Sequence, residues 1–150
     1  MAQSLAKLIT HMIFSTKNRR PVIPTGVRRE LNAYFVGILK EWDSPSILVN
    51  SVADHVHILC CLSKNHSLAK VVEEIKTGTS KWLKRQDGSL RDFHWQNGYG
   101  AFSVSQSNVA EVRKYIERQG THHRNVSFED EFRAFLRKHE VEYDEQYVWD

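Results

Sequence analysis

Two imidazoles stand one residue apart in "DHVHILCCL" (54–62), at His55 and His57. Side chains alternate faces along a β-strand, so His55, His57, Leu59 and Cys61 share one face and Val56, Ile58, Cys60 and Leu62 the other. The second set is apolar and belongs against helices. The first would put both imidazoles on the open face of a sheet, close enough to chelate one divalent ion. A solvent-facing pair would have the same spacing. Two donors do not make a tight metal site, and "YIERQ" (115–119) offers what is lacking. Tyr115 and Gln119 are four apart, hence on one helical face, offset from the apolar stripe Val109/Val112/Ile116. Gln119 can give a carbonyl oxygen to a hard cation and Tyr115 a phenol as nucleophile; an amphipathic surface Tyr beside a solvated Gln fits the same spacing. A phenol with an ordinary pKa of about 10 attacks poorly at neutral pH. A metal helps by polarising the electrophile and withdrawing charge as the bond breaks. On a phosphodiester, such attack leaves a phosphotyrosine and a free hydroxyl. The bond energy is kept, so the strand can be rejoined.

The elements that must position these residues follow from hydrophobic period. "KLITHMIFST" (7–16) reads as a strand and "KNRRPVIP" (17–24) as a basic loop. Residues 25–42 read as a helix with Thr25 as N-cap and Val27, Leu31, Tyr34, Phe35, Ile38, Leu39 and Trp42 as one stripe. "SILVNSV" (46–52) and "HVHILCCL" (55–62) are joined by two residues, which implies an antiparallel hairpin. Residues 67–84 read as a helix capped by Ser67, and 99–105 as a fourth strand. A third helix spans 108–120, with Asn108 and Glu111 as a capping box and Gly120 as its stop. A last helix runs from about Ser127 to His139 and buries Phe128, Phe132, Phe135 and Leu136. The order βαββαβ plus two helices predicts an α+β fold of the ferredoxin-like, split βαβ type: one antiparallel sheet with helices on one face, followed by C-terminal helices, in a single domain over 1–150. Fold alone does not decide chemistry.

Composition narrows the class. At 150 residues, 41% apolar and 26% charged, the chain can bury a real core and is not disordered. It carries no apolar run long enough to span a membrane and no signal-peptide pattern, so a cytoplasmic protein is expected. Cys60 and Cys61 are adjacent, point to opposite faces and read as unbridged residues of a reducing compartment. Net charge is +3 but uneven. Residues 1–40 hold seven Lys/Arg against one Glu, 64–91 seven against three acids, and 127–150 three against eight. A basic body with an acidic tail suits a polyanionic partner.

These residues bring the chain to a family. It resembles the single-tyrosine HUH transposases of the insertion-sequence 200/605 type (IS200-like), in which His55-Val56-His57 is the HUH motif. The likeness extends through "MIFSTKNRRPVI", "SLAKVVEEIKTGTSKWL", "NGYGAFSVSQSNVAEVRKYIERQGTHH" and "SFEDEFRAFLRKHEVEYDEQYVW", in order and over nearly the whole chain. The resemblance implies a DNA transposase, an HUH single-strand endonuclease and strand transferase. His55, His57 and Gln119 would bind Mg²⁺ or Mn²⁺, and Tyr115 would attack single-stranded DNA at hairpin-bearing element ends, leaving a 5′-phosphotyrosine and a free 3′-hydroxyl. It also implies a homodimer with active sites shared between subunits.

Lys17, Arg19, Arg20, Lys76, Lys81, Lys84 and Arg85 are the candidate DNA-phosphate contacts. Trp95 and Tyr99 suit core or dimer packing, or base stacking. His122 and His123 follow the catalytic helix closely, in surface or structural positions or near the DNA and metal. His94 and His139 read as surface histidines; His11 and His66 take no assignment. Three alternatives stay open: a metal-dependent hydrolase without a covalent step, a non-catalytic domesticated DNA-binding relative, and a palindrome-associated HUH transposase relative, which typically acts as a monomer.

Overall fold

The hydrophobic periods of the chain resolve into four strands and four α-helices in a computed structural model that describes residues 2–119 and 126–150. β1 (Leu8–Ser15), α1 (Arg28–Glu41), β2 (Ser46–Ser51), β3 (His55–Leu62), α2 (Leu68–Lys84) and β4 (Gly100–Ser103) follow in the expected order. α3 (Val109–Glu117) and α4 (Phe128–Lys138) complete it. The sheet is antiparallel with order β2-β3-β1-β4, the ferredoxin-like arrangement. β3 and β1 are the inner pair. Their register sets Ser15 opposite His55 and Ile13 opposite His57.

One face of the sheet meets α1 and α2. Met12, Phe14, Val56, Ile58 and Cys60 pack there with Leu31, Phe35 and Leu39 of α1 and Val71, Val72, Ile75 and Leu83 of α2. Each such fully buried side chain contributes roughly 1.5–3 kcal/mol of transfer free energy. The expected open face is not open. Ile9 and Leu59 pack against Ile116 of α3, while Ile13 and Phe102 pack against Phe128, Phe132 and Leu136 of α4. Alternation explains why: Ile9, His11 and Ile13 give β1 a second apolar side, and the stripes of α3 and α4 need a surface to bury on. The C-terminal helices thus form a second helical layer, directly over the histidine face.

Helix starts depart from expectation in two places. Thr25 opens a 3-10 turn, Thr25–Val27, behind Pro24, and its side chain caps nothing. Asn108 likewise closes a 3-10 turn, Gln106–Asn108, in helical dihedrals (φ −100, ψ −1), so the capping box with Glu111 does not form. An N-cap needs an extended backbone to bring its oxygen over the next amides. Ser67 and Ser127 have that backbone, and their hydroxyls accept from the Lys70 and Asp130 amides. The fourth strand is shorter than 99–105. Cys60 and Cys61 are unbridged, and burial, then the neighbouring Cys61, pushes the Cys60 thiol up to about 12. Among the described residues no helix is long and apolar enough to cross a membrane.

Candidate active site

β3 delivers both histidines to the layer beneath α3 and α4. Each ring is 0% exposed, a correction to the expected open placement, since α3 and α4 roof that face. Each is held from behind. His55 Nδ1 lies 2.7 Å from Asp54 Oδ1, and His57 Nδ1 lies 2.8 Å from His11 Nε2 on the neighbouring β1. Both Nε2 atoms are thereby turned toward one spot. Such outer partners fix the tautomer and orientation of a ligating imidazole. Burial, then the neighbouring His57, holds His11 well below the ordinary imidazole range. Its neutral Nε2 can therefore accept the His57 Nδ1 proton.

α3 brings the tyrosine. The Asn50 side chain on β2, opposite His57 in register, donates to the Ile116 carbonyl at 2.8 Å and pins the end of this helix to the sheet. Tyr115 then lies edge-on to His57, ring centres 5.8 Å apart. Gln119 is fully buried. Its Oε1 is 3.4 Å from His55 Nε2 and its Nε2 donates to the Tyr115 carbonyl at 3.3 Å. The three ligands and the nucleophile expected from sequence therefore come together within one chain.

α4 adds a residue that was not anticipated. Glu131 is 3% exposed, and its Oε1 sits 2.9 Å from His57 Nε2 and 3.7 Å from His55 Nε2. The Tyr115 hydroxyl donates to its other oxygen. Burial, followed by the hydrogen bond to Glu131 and its charge, raises the Tyr115 pKa far above that of a free phenol. His55, His57 and Glu131 present ligand atoms within 4.8 Å of one another. Neighbouring ligands of an octahedral ion at about 2.1 Å are separated by about 3.0 Å; the observed spacings of 2.9, 3.4 and 3.7 Å run from that value upward, so a shared divalent cation would draw the wider pairs together. Two nitrogens, a carboxylate and an amide oxygen suit Mn²⁺ or Mg²⁺. A cleft of about 510 Å³ between α3 and α4, lined by Tyr115, His11, Phe135 and Lys138 among others, gives access from the tyrosine side.

Sequence held faint signals for these additions. In "FEDEFRAFLRK" the buried positions are Phe128, Glu131, Phe132 and Leu136, so an acid occupies the apolar stripe. His11 alternates with Ile9 and Ile13 on the site face of β1. Asp54 simply precedes His55.

The basic candidates divide. Lys17 and Arg20 are exposed and line a cleft of about 250 Å³ with His94 and Ser89. Lys81 and Arg85 are exposed and Lys84 half-buried, toward the end of α2. Arg19 pairs with Glu129 of α4 at 3.3 Å and donates to the Trp149 carbonyl. The Lys76 ammonium donates to the carbonyls of Gln96, Asn97 and Gly98. Burial brings Lys76 down to about 8. The basic loop adjoins the site: the Thr16 amide donates to the carbonyl of Asp54, next to His55. Trp95 is core, packed edge-on to Phe14 and Phe93, and Tyr99 lies under the Lys76 ammonium. His139 is half-buried and stacks on Phe102, a correction to its expected surface place, because α4 docks on β4. His66 sits apart, edge-on to Trp42. His122, His123 and the Gly120 helix stop lie outside the described residues.

Comparison with known proteins gives the family and the fold. Residues 4–119 match the family model described as "Transposase IS200 like". The transposases for insertion sequence element IS200 of Salmonella typhimurium and Salmonella typhi are each 30% identical over 116 residues, covering 73% of this chain and 74% of theirs. Two solved structures share the fold. A Deinococcus radiodurans R1 chain assigned as a transposase superposes with TM-score 0.59 at 23% identity, over 79% of this chain and 98% of that one. A REP-associated tyrosine transposase bound to a REP hairpin superposes with TM-score 0.61 at 13% identity, over 82% and 73%. With its α+β sheet, its buried histidine pair and a family match that runs from β1 to Gln119, this chain belongs to the IS200-like transposases.

Proposed function

We propose that the protein cleaves and rejoins single-stranded DNA at hairpin-bearing element ends, with Tyr115 as nucleophile and a divalent ion, Mg²⁺ or Mn²⁺, on His55, His57 and Gln119. The single observation that carries this reading is Tyr115 standing beside its own chain's buried His57. The phenol oxygen bonds the phosphorus, the bond to the 3′-oxygen breaks, and a 5′-phosphotyrosine and a free 3′-hydroxyl result. The phenolic proton passes to Glu131, its hydrogen-bond acceptor, and the departing 3′-oxygen takes a proton from solvent water. When bound, an ion held by these residues would polarise the phosphodiester and offset the charge that develops on the leaving oxygen. His11 and Asp54 hold the two Nδ1 atoms and so would keep both Nε2 atoms turned to that ion, and Asn50 keeps α3 in place.

Lys17 and Arg20, on the loop next to Asp54, take backbone phosphates beside this site, and Lys81, Lys84 and Arg85, toward the end of α2, take phosphates farther along the strand. Arg19 and Lys76, already engaged by Glu129 and by three carbonyls, shape the basic loop and the 96–98 turn from within and face DNA with what hydrogen-bonding capacity is left. The working assembly in this reading is a homodimer in the cytoplasm, where unbridged Cys60 and Cys61 are at home. A palindrome-associated relative is the second reading. It is favoured by the tyrosine meeting the histidines of its own chain, as a monomeric enzyme requires.

The test mixes the protein with single-stranded hairpin DNA from the flanks of its own gene and Mn²⁺ or Mg²⁺. A covalent protein–DNA adduct on a denaturing gel, abolished by Tyr115→Phe and by chelator, is expected. An adduct that survives Tyr115→Phe sinks the nucleophile, and cleavage with no adduct at any time favours simple hydrolysis.

A further inference from the structure

We propose that α4 completes the active site in cis: Glu131 ligates the divalent ion through Oε1 and, through Oε2, holds the Tyr115 hydroxyl beside it. The inference rests on the metal-dependent reading above and assigns a residue beyond it. α4 also lies outside the segment that matches the family model, residues 4–119.

Four observations converge. The first is the placement of the acid. Phe128, Phe132 and Leu136 at the other buried positions are apolar, and α4 offers exposed turns where an acid would cost nothing. Burying a carboxylate is expensive unless cations and hydrogen bonds compensate. Among the described residues its polar contacts include His57, His55 and Tyr115, the machinery of the site. Secondly, Oε1 stands 2.9 Å from His57 Nε2, a hydrogen-bond contact that is also the separation of neighbouring ligands on one ion, and 3.7 Å from His55 Nε2, so that all three groups present ligand atoms within 4.8 Å of one another. Thirdly, both imidazoles are fixed from their far nitrogens, so the near ones converge without needing Glu131 to orient them. Fourthly, α4 is seated firmly. Phe132 fills the gap over Gly100, where a Cβ would come within 2.6 Å of its ring, and Arg19 pairs with Glu129 one turn earlier.

One carboxylate then does two things at once. With Gln119 Oε1, it gives the ion two oxygens beside two nitrogens, and it lowers the site's net charge. The same group sets the distance between nucleophile and ion, because its two oxygens are bonded to one carbon. Moving Tyr115 to another subunit would break this link, so a chain using Glu131 in this way acts on its own histidine pair.

The experiment titrates Mn²⁺ into the full chain, by calorimetry and by loss of the free-ion electron paramagnetic resonance signal, for wild type, Glu131→Gln, Glu131→Ala and Gln119→Ala. Glu131→Gln keeps the shape and loses the charge; its Mn²⁺ affinity is expected to fall at least tenfold, and the rise in melting temperature caused by Mn²⁺ to shrink with it. An affinity equal to or tighter than wild type overturns the ligand assignment, since the carboxylate would then be competing with the ion for the histidines. Circular dichroism checks folding, and Glu131→Asp replaces any variant that fails it, with the same expectation of weakened binding. The tether is tested at saturating Mn²⁺. Against wild type under the same conditions, Glu131→Ala stays at least tenfold slow in adduct formation because Tyr115 has lost its partner. Full recovery of Glu131→Ala overturns the tether. Mn²⁺ affinity is measured without DNA, so a wild type that binds Mn²⁺ through Glu131 yet forms no adduct refutes the strand-transfer reading and leaves this one standing.

Discussion

His11→Phe isolates the support behind one metal ligand. His57 can bind an ion through Nε2 only if its proton is on Nδ1, and His11 Nε2, 2.8 Å away, is placed to accept that proton once Nε2 is given to an ion. Phenylalanine keeps the ring and its edge-on contact with Phe135, centroids 5.1 Å apart, so packing changes little. What goes is the acceptor, in a site where His57 is 0% exposed. Removing one partner of a buried hydrogen bond costs about 1–3 kcal/mol. Outer partners of ligating histidines are worth about 10–100-fold in metal affinity, which is about 1.4–2.7 kcal/mol. The two routes agree. The expected result is Mn²⁺ binding weakened about 10–100-fold by calorimetry, and a melting temperature lower by about 2–4 °C per kcal/mol for a chain of this size. His11→Ala is the poorer variant because it adds a cavity to the same loss. Wild-type Mn²⁺ affinity together with an unchanged melt in His11→Phe would refute the orienting role of His11.

Gly100→Ala would set its Cβ 2.6 and 2.9 Å from two Phe132 ring atoms, within a closed apolar cluster. A cost of about 1–3 kcal/mol is expected in urea unfolding, with weaker Mn²⁺ binding because α4 must shift; stability unchanged would mean that α4 is loosely seated. Lys76→Met removes a charged donor from three carbonyls of the 96–98 turn. A loss of about 1.5–3 kcal/mol in thermal unfolding follows from the usual worth of charged hydrogen bonds, and an unaltered melt would place water in the lysine's role. Burial raises the Cys60 thiol to about 12. In the native protein at mildly alkaline pH an alkylating reagent read by peptide mass spectrometry is therefore expected to leave Cys60 unmodified until urea is added; rapid native labelling of Cys60 would contradict its packing between sheet and helices.

Period alone was enough for the sheet and for α1 and α2. Strand alternation put Val56, Ile58 and Cys60 on the side of the first helical layer and His55 and His57 on the other, and the chain folds that way. Helix spacing paired Tyr115 with Gln119, and both arrive at the histidines. These are local facts: alternation and the 3.6-residue turn depend only on neighbours in the chain. The roof over the histidine face was not legible, because an amphipathic helix states that it must bury a stripe and not which surface it will bury it on. α3 and α4 chose the second face of the sheet. That choice turned two imidazoles expected at an open surface into a buried pair, and it carried Glu131 to within 2.9 Å of His57 across 74 residues of chain. The same holds for His11, distant by 46 residues and made a neighbour of His57 by the β1–β3 register. Which residues could bind an ion and attack a phosphodiester was written in their types and local spacing. How many converge, from one chain and away from water, depended on long-range packing that no local pattern encodes.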